Sequence, residues 1–361
     1  MGPPLHGAHP ADRPLVTWSL WSIRSSQYLS LGLLTAHATS TMPTPRPSRQ
    51  STRFATSLLA VATLTLASCT GLRTAGTHAP PTVPGIIETG TPRIFAEGLI
   101  SAGNASCPAF TPDGRTTYFM RESTTSRRHP LDYTIMQSTW ADGRWSEPVV
   151  APFAGRHLDI DPFLSRDGRQ LLFASRRPLQ PGGAEPSEFQ MWSVTRQDGG
   201  WSEPRPFGPA VDTTVGRFFS TMTAAGTVYF TQRRGNDNDI YRSRLGPSGY
   251  EPPEPVTAVN TRFSDSNPLV SPDERVLIFF SARPGGFGQA DLYVSRRVGG
   301  EWSEPRNLGA SVNTPDAENC PSFSPDGRQL FFARGKRRAD GQIESRHIYY
   351  VSLDSVLAVG R

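Results

Sequence analysis

Asp159, Asp265 and Glu318 each stand three residues before a proline that recurs along the chain, and Ala105 and Arg217 hold the same place in two further copies of the stretch. Three carboxylates brought to one level could bind a hard cation through oxygen. They could flank a sugar as acid and nucleophile or base, or be neutralised by arginine and water. Three acids fall short of a full Ca²⁺ shell unless water or carbonyl oxygens complete it. Asp161 and Asn267, each immediately before its proline, extend the candidate set, as does His157. The candidate ligand-binding residues are Asp159, Asp161, Arg217, Asp265 and Glu318. Neutralisation by Arg217 and water is the reading favoured for the acids; no cofactor is expected, and Ca²⁺ at the channel mouth is the alternative. The run "HLDID" sets an imidazole beside two carboxylates, the materials of acid–base chemistry. It has no companion motif and reads as a loop. No nucleophile elbow, phosphate-cradling glycine loop or Cys/His zinc spacing accompanies these residues.

What positions them is a repeat. "NASCPAFTPDGRTTYF", "LDIDPFLSRDGRQLLF", "SDSNPLVSPDERVLIFF" and "DAENCPSFSPDGRQLFF" share one pattern, and a fifth unit carries "TAAGTVYF" in place of the Ser-Pro-Asp-Gly turn. The residues opening these turns are Thr111, Ser165, Thr223, Ser271 and Ser324, so the period is close to 50 residues. A "WSEP"-type landmark follows four of the units, at Trp145, Trp201, Tyr250 and Trp302. Each unit therefore reads as a strand, a Pro-Asp-Gly turn, an apolar strand, a variable loop, a third strand such as "DLYVS", and a fourth carrying the tryptophan. Such a meander cannot bury both faces alone, so its neighbours must stack against it. The unit at Thr223, lacking the Pro-Asp pair, is expected to turn differently.

The last unit stops after its third strand, at "HIYYVSL", and Pro92–Phe95 matches the missing piece at Pro305–Leu308. The fold expected is all-β: a five-bladed β-propeller of four-stranded antiparallel blades, closed by an N-terminal strand that removes the exposed edge. The quoted stretches resemble the WD40-like β-propeller repeat family, of the TolB-like periplasmic and lipoprotein type, over about Pro92 to Leu353. That resemblance implies a binding or scaffolding module for another envelope protein or a glycan. Related propellers also serve in peptidases and polysaccharide lyases, so the alternative is a carbohydrate-active enzyme, a glycoside hydrolase or lyase, using acids at the channel mouth.

Other recurrent residues read as structural. Arg176, Arg233 and Arg283 follow the second strand and are expected to pair with acids such as Asp239 and Asp291 to brace each blade. The recurring tryptophans are expected between blades. Cys107 and Cys320 occupy one repeat position in the first and last units and become neighbours once the ring closes. Export permits a disulfide, whereas adjacent inner strands usually diverge beyond its reach. Both the bridge and a reduced pair stay open.

The chain has 361 residues, 36% of them hydrophobic and 19% charged, with 33 Gly and 34 Pro, which suits a turn-rich β protein. Its formal charge of +5 is concentrated early: beyond Cys69 there are 32 basic against 31 acidic residues. Nucleic acid is a poor partner for that surface. From Met42, three arginines, the apolar run Phe54–Leu66 and "LASC" form a secretory signal whose end resembles a lipobox. The segments read as an over-extended start (1–41), a lipoprotein signal ending in Cys69 as the lipidated residue (42–69), a Gly/Pro/Thr-rich tether (70–88) and the propeller (89–361). Export and lipid anchoring follow, with the membrane met through the lipid alone. Thr70, in place of a retention aspartate, favours the outer membrane, facing the periplasm.

Overall fold

The Ser/Thr-x-Asp-Gly stretches fold as expected and fix the first hairpin of each unit. Thr111, Ser165, Ser271 and Ser324 each donate their backbone N–H to the carbonyl five residues on, and Asp113, Asp167, Asp273 and Asp326 accept from the side chain that opens the turn. The positive φ these turns demand falls on Gly114, Gly168 and Gly327, and in the fourth unit on Glu274. The unit at Thr223 closes one residue earlier, with Thr223 N–H bonding to Thr227 O. Without the Pro-Asp pair the loop is simply shorter.

The structure, a computed structural model, describes residues 82–122, 133–208, 214–338 and 343–358. The expected start segment, the signal with Cys69 and most of the tether lie outside the described residues. The tether's last part, residues 82–88, docks: Val83 is buried in the core beside Phe95 and Trp145. Proline and threonine set that stretch apart in composition, but one valine with a pocket to fill is enough to hold it.

Among the described residues, five large antiparallel sheets follow one another, and a two-stranded ribbon, Leu245–Gly246 with Gly249–Tyr250, accompanies the third. Their inner strands are Ala105–Phe110, Asp159–Leu164, Arg217–Met222, Asp265–Val270 and Ala317–Phe323, and each touches the next, the last returning to the first. This is the five-bladed propeller. In the fifth blade Arg93–Ile94 supplies the outer strand, with Arg93 opposite Tyr350 and Ile94 opposite Tyr349. In the fourth, Arg306 faces Val294 and Asn307 faces Tyr293. The N-terminal segment thus completes the last blade in the register its sequence match implies.

The fourth strand differs from expectation in being broken. In blades one, two and four its tryptophan pairs next to the turn, and a second short pairing resumes after Ser-Glu-Pro. Proline has no N–H for the ladder. At the break the serine side chain supplies an acceptor for the neighbouring strand, as where Ser146 Oγ accepts from Thr139 N–H. The tryptophans pack between blades: Trp145 against Phe95, Trp201 against Tyr118, and Trp302 against Tyr229. Each reaches back to the preceding blade, and these clusters bury the faces a lone meander would expose.

Candidate functional site

The acids three residues before each proline do not converge on the axis. Each is fully buried and paired inside its own blade. Asp159 accepts from Arg177 at 2.8 Å, Asp265 from Arg283 at 3.0 Å and Glu318 from Arg334 at 2.8 Å. Each arginine also donates to a backbone carbonyl before the inner strand: that of Phe153, Val259 or Val312. The guanidinium therefore ties the blade's entry segment to its first two strands. Blade one has Ala105 at the acid position, and Arg121 reaches the carbonyls of Leu99 and Ile100 directly. Blade three exchanges the pair, with Arg217 donating to Gln232 across the same register. Burial pushes the carboxyls of Asp159 and Glu318 up, and their arginines pull them back.

These braces correct the expected assignments. Arg283 is a brace arginine, but its acid is Asp265 rather than Asp291. Its counterpart in blade two is Arg177, whereas Arg176 donates to Pro186 O. Arg233 pairs with Glu188, and Asp239 with Arg234. His157 pairs with Glu185 at 3.0 Å, and no hydrogen bond joins it to Asp159 or Asp161, although its charge acts on Asp159. Among the described residues, Asp159, Asp265 and Glu318 form no three-ligand group.

The axis is occupied two residues further on. Cys107, Asp161, Phe219, Asn267 and Cys320 sit at one repeat position, one per blade, and all five have φ between 47° and 55°. At each the pairing of the first and second strands shifts register. In four blades a proline follows, which cannot donate to the ladder and breaks it there. Left-handed backbone at a non-glycine residue costs about 1–3 kcal/mol and persists only where the surroundings impose it. Five such residues at one level mark the place where the chain is bent for a purpose.

What the bend achieves is contact around the ring. Cys107 and Cys320 are joined by a disulfide between blades one and five, with Cα atoms 4.7 Å apart. Asp161 Oδ1 lies 3.2 Å from Cys107 Sγ, and its carboxylate accepts from Phe219 N–H of blade three. Asn267 donates its N–H to Thr231 Oγ1 of blade three and accepts at Oδ1 from Cys320 N–H of blade five. The bulge answers the question left open about the cysteines, because it brings neighbouring inner strands within bridging distance. Cys107, Asp161 and Cys320 are the one group of potential metal ligands among the described residues. With the sulfurs bonded to each other, that group offers only a carboxylate.

On the side of the Ser-Pro-Asp-Gly turns, the ring is the floor of a funnel of about 360 Å³. Phe163, Phe219, Met222, Leu269 and Phe323 line its walls, with Pro112, Pro272 and Pro325 from the turns. The only charged residues among those lining it are Asp161 at the floor and Arg166 in the turn at Ser165. Burial pushes the Asp161 carboxyl up to about 7, against the pull of the Phe219 N–H and the charge of buried Arg346. Sequence reasoning placed Asp161 beside the channel and left the Cys107–Cys320 bridge open, but missed Phe219. The available signal was the residue before each recurrent proline, which reads Cys, Asp, Asn and Cys in the four units that have one.

No protein-family model matches the chain, and no curated protein matches it. Among solved structures it is similar to an α-L-arabinofuranosidase from Podospora anserina in complex with cellotriose, at 11% identity and a TM-score of 0.44, covering 75% of this chain and 94% of that one. An α-L-arabinofuranosidase from Lactobacillus brevis is 13% identical, with a TM-score of 0.45 and coverage of 72% and 94%. The periplasmic gluconolactonase of Pseudomonas aeruginosa is 16% identical, with a TM-score of 0.36 and coverage of 67% and 71%. Likeness this remote carries no argument about the chemistry of the present chain.

Proposed function

We propose that the chain is an exported lipoprotein of the WD40-like, TolB-like propeller type, held in the envelope through Cys69, and that its propeller is a non-enzymatic binding module whose partner engages the axial funnel. One observation carries the reading: the funnel is concave, apolar and built on a floor that a disulfide and inter-blade hydrogen bonds hold rigid. Small sites of this kind recognise ligands by apolar walls and a few fixed polar groups. The walls favour a protein segment over a glycan, because they are mainly phenylalanine, leucine and proline, and the serine and threonine hydroxyls among them are too few to replace the water a sugar would lose. The glycosidase alternative needs two free carboxylates facing one another across the substrate. Here the candidate acids are committed to arginines, and the funnel lining supplies Asp161 alone. No helix among the described residues is long and apolar enough to cross a membrane.

The test is co-purification from native membranes with the intact lipoprotein and with Phe323→Arg, which places a bulky charge in the funnel wall. A partner recovered with the wild type and lost with the variant is the expected result. Equal recovery with both removes the funnel from the account. Turnover on a glycan panel that disappears in Asp161→Asn overturns the non-enzymatic reading.

A further inference from the structure

Asp161 differs from the other buried acids of the propeller in one respect. Asp159, Asp265 and Glu318 each have an arginine within 3.0 Å, whereas no ion pair is formed by Asp161 among the described residues. Its neighbours are a backbone N–H, a disulfide sulfur and, at longer range, Arg346. A carboxylate so placed is poorly compensated, and a cation arriving from the funnel would supply what the fold withholds. The other charged lining residue, Arg166, is exposed in the turn that follows the strand of Asp161, and no ion pair joins the two. When ionised, Asp161 therefore places a negative charge at the bottom of a cavity whose walls are mainly apolar and aromatic.

That combination selects for a particular shape of ligand: an apolar stem ending in a positive charge. A lysine side chain has it, with four methylenes for the walls and an ammonium for the floor. Phe163, Phe219 and Phe323 add aromatic surface on which a cation is tolerated. We propose that the funnel receives a lysine side chain presented on an apolar segment of a protein partner, with its ammonium group meeting the carboxylate of Asp161. The inference rests on the reading of the funnel as the binding surface, and names the group that the surface reads. An amino sugar would bring the same charge, but most of its ring would face phenylalanine, leucine and proline, with only scattered serine and threonine hydroxyls as partners.

Calorimetric titration of the full chain at pH 8 with acetyl-Leu-Lys-Leu-amide, and with the same peptide carrying norleucine for lysine, tests the proposal. The lysine peptide is expected to bind at least about tenfold more tightly, the effect of one hydrogen-bonded charge. Asp161→Asn should erase that preference. Equal affinity of the two peptides for the wild type overturns the proposal, as does a preference that survives in Asp161→Asn or no binding of either peptide. A glucosamine trimer that binds more tightly than the lysine peptide overturns it in favour of a glycan. In each of those cases the co-purification with Phe323→Arg still decides separately whether the funnel is the binding surface.

Discussion

Replacing Asp161 with asparagine should make the protein more stable, and by an amount that grows with pH. The backbone permits the change, since Asn267 already occupies the equivalent position with φ 53° against 55° at Asp161. There its Oδ1 accepts a neighbouring blade's N–H, as Asp161 does from Phe219. Burial raises the folded-state carboxyl to about 7, well above the usual aspartate range. The stability of the wild type is thus fully present below about pH 4 and is lost progressively as pH rises through about 7. The loss amounts to about 2 kcal/mol at pH 5 and about 4 kcal/mol at pH 8. Asparagine never acquires the charge, so the difference between variant and wild type isolates this one group. Urea unfolding of both proteins from pH 5 to pH 8 should show the variant's advantage widening by about 2–3 kcal/mol. An advantage that stays flat across that range, or a variant less stable at pH 8, would refute the picture of a desolvated, uncompensated acid at the floor.

Three further outcomes follow from the seam and the leader. The disulfide closes a span of 213 residues, for which chain entropy alone gives about 5 kcal/mol. Thiol counting on the unfolded, non-reduced protein should find neither Cys107 nor Cys320 free, and two free thiols at those positions would contradict the bridge. Deleting residues up to Leu99 removes the outer strand of blade five together with buried Phe95 and Val83, and should cost at least about 3–5 kcal/mol and provoke aggregation through the exposed edge. An unchanged melting curve would show that the segment does not close the ring. Fatty-acid labelling should mark the wild type and not Cys69→Ser, and label retained in the variant would end the lipoprotein proposal.

The architecture was legible because it repeats. Turn openers, tryptophans and recurrent prolines fixed five units, and the match of Pro92–Phe95 to Pro305–Leu308 told where the ring closes. The site was less legible, for a reason that lies in the inner strands. Counting along a regular strand, residues 159 and 161 share a face, so both were assigned to the channel. The left-handed residue before each proline breaks that alternation. It turns Asp161 to the axis and leaves Asp159 inside the blade with Arg177. The same bend brings Cys107 and Cys320 together where straight strands would hold them apart. Nor does sequence distance show that Arg177, rather than Arg176, reaches the acid, because that choice depends on how the chain leaves the second strand. Turn chemistry is local and survives inspection, whereas the direction of a side chain after a bulge depends on the ladder around it.

The central claim is that partners meet this protein at the axial funnel. Its most direct measurement is site-specific photo-crosslinking in native membranes, with benzoylphenylalanine in place of Phe323 on the funnel wall and, as control, in place of Val149, which is 53% exposed on the outer strand of blade one. The account predicts a discrete adduct from position 323 that Asp161→Asn diminishes, and none from position 149. The same adducts from both positions, or an adduct from position 149 alone, would contradict it.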